Sequence, residues 1–480
     1  MKFLLTSMTL LLCLSLFGQD QFVEIQDIHI QNNKRTKAYI ILRELSIAPG
    51  DSIAVDEIAS TILKNRNQLL NTGLFADVSI KTTDWQKDEG FINFNIAVKE
   101  NWYLYPYAWV DFVDNDFNVW WDVYDHQLNR TLPYIGLKHV NLTGQQDELN
   151  AYLQVGFTDR VRLSSTFLRK VRLSYTSPYL DRKQSLRATG SFLLGNDKRI
   201  RLNTFNNRDS FITNEQIPLL KRIRLDAGLN YRPQLFEQHE FRLSYVSRTI
   251  SEGVAFSNPI YFGQQNTQQR FLSLAYRFIS DRRDFQLYAR RGYYLEAGIR
   301  KEGFGIWKER DALVLDANYA RFYSFSPDWS LETSISLRTN LGRNAIDYYN
   351  LPVVGPKPEV VRGYISYHLR GSDFAYFKSS FRFQLLERYL QFSNIRLFKR
   401  NIVPQSYRNL PIQAFLKFNN DLAYINDPIG DRSNALNNRV LYGGGLGLDL
   451  ILANTALIEL MLNVNDLRET SFRAHTYFAF

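Results

Sequence analysis

The sequence predicts a mainly β protein: a transmembrane antiparallel β-barrel of about sixteen strands, preceded by one small β-α-α-β-β domain. Three observations predict it. After residue 101, apolar and polar residues alternate in a long series of segments of roughly ten residues separated by turns. No run beyond residue 17 approaches the roughly 18 consecutive apolar residues that a membrane helix needs. The chain opens on a basic and then apolar segment that reads as an export signal.

That opening segment has Lys2, an apolar run over residues 3–17 and a small-residue exit at Gly18, with cleavage expected near Gly18 or Gln19. Residues 1–19 are therefore assigned to a signal peptide. Cys13 is the only cysteine and lacks a small residue immediately ahead of it, which argues against a lipoprotein. Its removal with the leader leaves no thiol, so neither disulfides nor thiolate metal sites hold the mature chain together. Aromatic residues make up 14% of the sequence, including 28 Tyr and 34 Phe, as suits a barrel that meets lipid headgroups. The net charge of +10 invites a nucleic-acid reading. The Lys and Arg residues are spread along the whole chain and form no basic run or recognition helix, so they are assigned to lumen and rim, and no nucleic-acid partner is expected.

Residues 20–100 form the first domain. Val23, Ile25, Ile28 and Ile30 predict a strand, and Asn32, Asn33 and Lys34 a turn. Thr36 is expected to cap a short helix holding Ile40, Ile41 and Leu45, broken by Pro49-Gly50-Asp51. A second helix over about 55–71 places Ile58, Ile62, Leu69 and Leu70 on one side and ends at Gly73. A strand through Val78 and Ile80 follows. In the next, Ile92, Phe94, Ile96 and Val98 alternate so regularly that one face must be buried.

Residues 101–480 form the barrel. In 222–232, Ile223, Leu225, Ala227, Leu229 and Tyr231 hold one parity, while Arg222, Arg224, Asp226, Asn230 and Arg232 hold the other. The pattern recurs in Leu149, Ala151, Leu153, Val155 and Phe157, in Leu272, Leu274, Tyr276 and Phe278, and across 329–338. A soluble sandwich would put its charged parity in solvent and its apolar parity in a core, whereas a membrane barrel reverses the arrangement. The last segment alternates in the same way and places Phe472, Phe478 and the terminal Phe480 on one parity and Tyr477 on the other. Such an ending is similar to the strand signal read by outer-membrane assembly machinery.

Other motifs point to no chemistry. The six histidines are scattered, without His-Glu-x-x-His spacing, so no metal site is expected. Asp111, Asp114 and Asp116 cluster where the first strands turn, a pattern commoner in a solvated acidic turn than in a calcium site. Gly443-Gly444-Gly445 runs into a strand, which excludes a phosphate cradle. With no nucleophile and base pair in view, neither enzyme activity nor a cofactor is expected.

Several motifs together resemble a known family. Ile47-Ala48-Pro49-Gly50-Asp51 followed by Leu69-Leu70-Asn71-Thr72-Gly73-Leu74-Phe75-Ala76-Asp77-Val78 resembles a polypeptide-transport-associated (POTRA) domain. Val361-Arg362-Gly363-Tyr364, within the long turn 342–375, matches a loop motif of the BamA-type outer-membrane assembly and translocation proteins, also called the bacterial surface antigen family. Residues 276–284, Arg291-Gly292-Tyr293 and the glycine triplet extend the likeness. The resemblance implies a 16-stranded barrel whose long sixth extracellular loop folds back into the lumen and sets the motif arginine against an inner-wall acid. Asp421 is the best match for that acid, although the flanking Phe and Gly of the family motif are absent here. Parity offers Asp449 and Glu459 as substitutes. The family often has a Glu on the strand after the loop, where this chain has Ser380, flanked by Lys378 and Arg382. The implied role is insertion, assembly or translocation of other polypeptides. The expected setting is the outer membrane with the N-terminal domain in the periplasm, and the expected partners are unfolded or secreted clients, membrane lipid, and periplasmic or lipoprotein subunits. A passive pore or surface antigen without a client is the alternative.

Overall fold

The computed structural model describes residues 22–86, 90–113, 120–121, 124–157, 166–307, 310–342, 347–354, 361–391, 396–397, 400–401 and 409–478. The expected leader, Asp114, Asp116 and Phe480 lie outside these residues. The chain divides into two compact units at Glu100 and Asn101.

The first unit runs β1 (Phe22–Gln31), α1 (Ala38–Arg43), β2 (Ser52–Ala54), α2 (Ile58–Asn71), β3 (Phe75–Gln86) and β4 (Phe91–Glu100). Its sheet order is β2-β1-β4-β3, with β1 parallel to β4 and the other pairs antiparallel. Ile92, Phe94, Ile96 and Val98 all point into the core, as their spacing requires. On β1 the buried residues are Val23, Ile25 and then Ile28, because the ladder to β4 shifts register between Ile25 and Asp27 and an extra residue breaks the alternation. Ile40, Ile41, Ile58, Leu69 and Leu70 cover the sheet from the helices. Gly73, at φ +70°, ends α2 and donates its N–H to the Leu70 carbonyl at 3.1 Å.

Two local expectations are corrected. The Pro49-Gly50-Asp51 break leads into a fourth, very short strand, β2, that pairs along β1. Thr36 does not cap α1: the N-cap position is Lys37, without a side-chain bond, and Thr36 is buried. Its N–H, like that of Arg35, donates to the Glu100 carboxylate, at 2.6 and 3.0 Å. That carboxylate ties the end of β4 to the turn before α1.

The second unit contains sixteen antiparallel strands in one sheet, in which Leu104–Phe112 and Thr470–Phe478 are the two end strands. Along Leu220–Gln234 every residue of the apolar parity from Ile223 to Tyr231 is exposed, while Arg222, Arg224, Asp226 and Asn230 are half-buried. Leu225, in mid-strand, is 47% exposed. A soluble sandwich is excluded by this, since it would bury the leucines instead. The inward parity satisfies itself with ion pairs: Asp226 takes bonds from Arg224, Ser191 and Ser244, and Arg277 reaches both Glu240 and Glu296. The terminal strand keeps the pattern at Phe472, exposed, and Arg473, buried, while Tyr477, of the inward parity, is 43% exposed and pairs with Leu457 of the preceding strand. One outward assignment fails: Phe157 is buried, at the end of a strand whose ladder shifts register between Gln154 and Val155.

Candidate functional site in the barrel lumen

The connection between the strands Trp329–Asn340 and Asp373–Gln391 is the long turn picked out in the sequence. Among its described residues the backbone makes one two-residue ladder, Val353–Val354 with Leu369–Arg370. Its tip turns at Gly363, where φ is +91° and a Cβ would stand 3.0 Å from the Val464 carbonyl oxygen, so the backbone lies directly on the barrel wall. Asn465 fixes this approach by donating to the Gly363 carbonyl at 3.0 Å.

The structure sets Arg362 against Asp421. Both are buried, at 8% and 1% exposure. The Arg362 backbone N–H and Nε each donate to the carboxylate at 2.8 Å, to Oδ2 and Oδ1, and Nη2 stands 2.5 Å from Oδ1. Nη1 donates to Ser380 Oγ at 2.9 Å and to Asn419 Oδ1, and Nη2 to the Ser379 carbonyl at 3.3 Å. A guanidinium presents a rigid fork of five donors, and here most find an acceptor. Ser380, at the position where a second acid was looked for, supplies a neutral hydroxyl, and Asn419 a neutral amide. Asp421 is therefore the carboxylate within reach of Arg362 among the described residues.

The neighbouring motif residues anchor the same loop. Val361 and Tyr364 are fully buried in a cluster with Leu369, Ala423, Ile425 and Leu441. The Tyr364 hydroxyl donates to Asp466, and burial together with that carboxylate pushes the phenol above its ordinary range. Tyr367 donates to Glu469 at 2.7 Å, and burial and Glu469 push it up to about 12. The glycine triplet has a role that sequence alone did not reveal: a Cβ on Gly443 would fall 1.8 Å from the Arg362 carbonyl oxygen. Only a residue without a side chain leaves the loop room to lie there.

Asp449 and Glu459 do not serve as substitute partners for Arg362. They hold Lys417, at 2.8 and 2.5 Å. Asp449 also accepts from the hydroxyl of Tyr288, at 2.9 Å, and Tyr288 belongs to a second inward connection, residues 282–291. The Tyr288 ring packs 4.6 Å from Phe415, and Arg382 lies 4.3 Å above it while donating to the Ala289 carbonyl at 2.9 Å. Among the described residues two connections thus enter the lumen, one held by Asp421 and the other by Asp449. Asp111 takes part in the wall, accepting from Gln154 at 3.3 Å.

Residues 23–101 match the family model described as surface antigen variable number repeat, the POTRA domain. In structure the chain resembles BamA from Haemophilus ducreyi lacking POTRA domains 1–3, with a TM-score of 0.51 and 11% identity over 95% of this chain and 85% of that one. CdiB from Escherichia coli and CdiB from Acinetobacter baumannii align with TM-scores of 0.46 and 0.45, at 8% and 12% identity, over 96% and 95% of this chain and 91% and 74% of theirs. No curated protein matches the sequence. At these identities the likeness is one of fold. One POTRA domain followed by a sixteen-stranded barrel of the BamA fold gives this chain the architecture of the BamA-type outer-membrane proteins.

Proposed function

We propose that this protein assists the insertion, assembly or translocation of other polypeptides at the outer membrane. The barrel sits in that membrane with its POTRA domain in the periplasm. The observation that carries the reading is the buried Arg362–Asp421 pair on an inward-folded loop. Holding a long polar loop in a pore costs about 1–2 kcal/mol of backbone entropy per ordered residue, and a passive channel has no use for that cost. A gated machine does, because the loop can be released when a client arrives.

Client capture falls to the POTRA sheet, by strand addition at its edge. Its two edges are β2, three residues long, and β3, twelve residues long, so β3 is the edge that suits an extended client. At the head of β3 the Val78 N–H is taken by the Asp77 carboxylate at 2.9 Å and its carbonyl by Arg66 Nε at 3.0 Å. Ile80 and Thr82 share that orientation by alternation, which sets docking in the middle of the strand. The client strand then passes to the seam between the end strands Leu104–Phe112 and Thr470–Phe478, and burial of its apolar face drives the transfer.

The test compares the outer-membrane proteome of cells lacking the protein with cells expressing the full chain or the chain without residues 22–100. Loss of particular barrel or secreted proteins in the first and last strains supports the reading. An unchanged proteome, with steady conductance of the purified barrel in planar bilayers, makes it a passive pore.

A further inference from the structure

A cavity of about 400 Å3, open to solvent on one side, lies beside the outer ends of several strands, under the connections that contain Tyr261 and Tyr348. Six arginines line it, Arg169, Arg199, Arg201, Arg222, Arg248 and Arg370, against one lining carboxylate among the described residues, Asp197. Asp209 stands directly behind. Asp197 is shared by Arg169 and Arg222, at 2.7 and 2.5 Å, and Asp209 by Arg201 and Arg370, at 2.5 and 3.3 Å. Arg248 is held by neutral groups, donating to Gln269 and Asn350 at 2.8 and 2.7 Å. The nearby acids Glu302 and Asp347 are engaged by Arg310, and Glu302 also by Arg300.

Such an excess of positive charge on half-buried and buried side chains is costly without a compensating anion. Two further observations point the same way. Arg222 is held by Asp197, which it shares with Arg169, and by the Tyr349 hydroxyl, while its buried Nε makes no well-aligned bond of its own. On Tyr349, burial favours the neutral phenol, yet the guanidiniums of Arg222 and Arg248 outweigh it and bring the hydroxyl below its ordinary range. Half of the remaining lining is aromatic: Phe157, Phe167, Phe211, Tyr261, Tyr348 and Tyr349. Tyr261 packs against the other two tyrosines at 5.9 and 5.8 Å, and Arg370 and Arg248 lie over the rings of Tyr348 and Tyr349, which makes a rigid aromatic wall beside the charges.

We propose that this cavity binds a phosphorylated sugar, with the phosphate oxygens taken by Arg222 and Arg248 and the sugar held against the aromatic wall. Arginine forks match phosphate geometry and deliver charge-assisted bonds, and the volume falls in the range of small-ligand pockets. A free sugar phosphate and the phosphorylated headgroup of a glycolipid share this chemistry. The site lies apart from the Arg362–Asp421 contact, although Tyr348, Tyr349 and Arg370 come from the same loop, and it does not depend on the client-handling reading.

The test is calorimetric titration of the full-length protein in detergent micelles with glucose 6-phosphate, with glucose, with tetra-aspartate, and with mixed micelles carrying a bis-phosphorylated lipid A. Glucose 6-phosphate or the lipid is expected to bind with affinity that falls as salt rises. Arg222→Gln combined with Arg248→Gln is expected to weaken that binding by about tenfold or more. Folding is checked by heat-modifiable gel mobility, and Arg248→Gln alone, which breaks no ion pair, is the milder variant. Binding of the sugar phosphate identifies a soluble source, and binding of the lipid alone a membrane source; either supports the site. The proposal is overturned if neither binds, if the arginine variants bind unchanged, or if glucose or tetra-aspartate binds equally well.

Discussion

Replacing Arg362 by alanine tests whether the loop is held in the lumen by the contact that the structure shows. The substitution removes four side-chain hydrogen bonds, to Asp421, Ser380, Asn419 and the Ser379 carbonyl. It also leaves a carboxylate that is 1% exposed without its counter-charge. Breaking one side of a buried pair costs about 3–5 kcal/mol. The residual backbone N–H of residue 362 still donates to Asp421, so the lower end, about 3 kcal/mol, is expected. At roughly 1.4 kcal/mol per decade, the undocked population rises about 100-fold. A cysteine at Ser366, within the loop, reports that population through its rate of labelling by an impermeant maleimide on intact cells. Labelling is expected to rise about 100-fold in Arg362→Ala and by less in Arg362→Lys, which keeps the charge but loses the fork. Surface abundance should change little, because the sheet ladders are untouched, and client handling should fall more than barrel insertion does. If Arg362→Ala labels at the parental rate and works normally at equal abundance, the loop is held by something else and the argument fails.

Three other outcomes follow from the same geometry. Gly443→Ala sets a Cβ 1.8 Å from the Arg362 carbonyl, a backbone atom that no rotamer change can move, so the Ser366 labelling rate should rise as it does in Arg362→Ala. Leu225→Arg, on the exposed parity, should destabilise the barrel in bilayers by about 2–4 kcal/mol in urea titrations, an effect that a water-facing position would not give. Asp209 provides a pH test: burial raises its pKa, but Arg370 and Arg201 outweigh burial and hold the carboxyl below its ordinary value of 3.8. A depressed folded pKa means that the stabilisation is fully present above 3.8 and is lost as pH falls below it towards the folded value. Thermal scans should therefore show a loss of stability below about pH 4 that is smaller in Asp209→Asn, and equal acid sensitivity in both would remove this ion pair from the account.

Local pattern carried far in this chain. A strand alternates with a period of two whatever its neighbours are, so Ile223 to Tyr231 revealed an apolar face, Ile92 to Val98 a buried one, and Asp421 an inward position. Where a bulge inserts a residue, as in β1 beside Ile25, the spacing Val23, Ile25, Ile28 looked irregular until the register was known. Thr36 resembled a helix cap by type and place, but Glu100, some sixty positions away, had taken its N–H.

By itself, the sequence determined the mainly β class, the two helices and three longer strands of the first domain, the sixteen-strand count and the loop that bears Arg362. All of these rest on periodicity or on contiguous motifs. Only the tertiary structure decided which carboxylate meets Arg362, why Gly443 has no side chain, that residues 282–291 fold inward onto Asp449, and that six arginines from distant strands and loops share one cavity. The physical reason is common to these cases. Parity says that a residue faces the lumen, but the curvature and register of the whole sheet set how far round the wall it stands and which partner lies across from it.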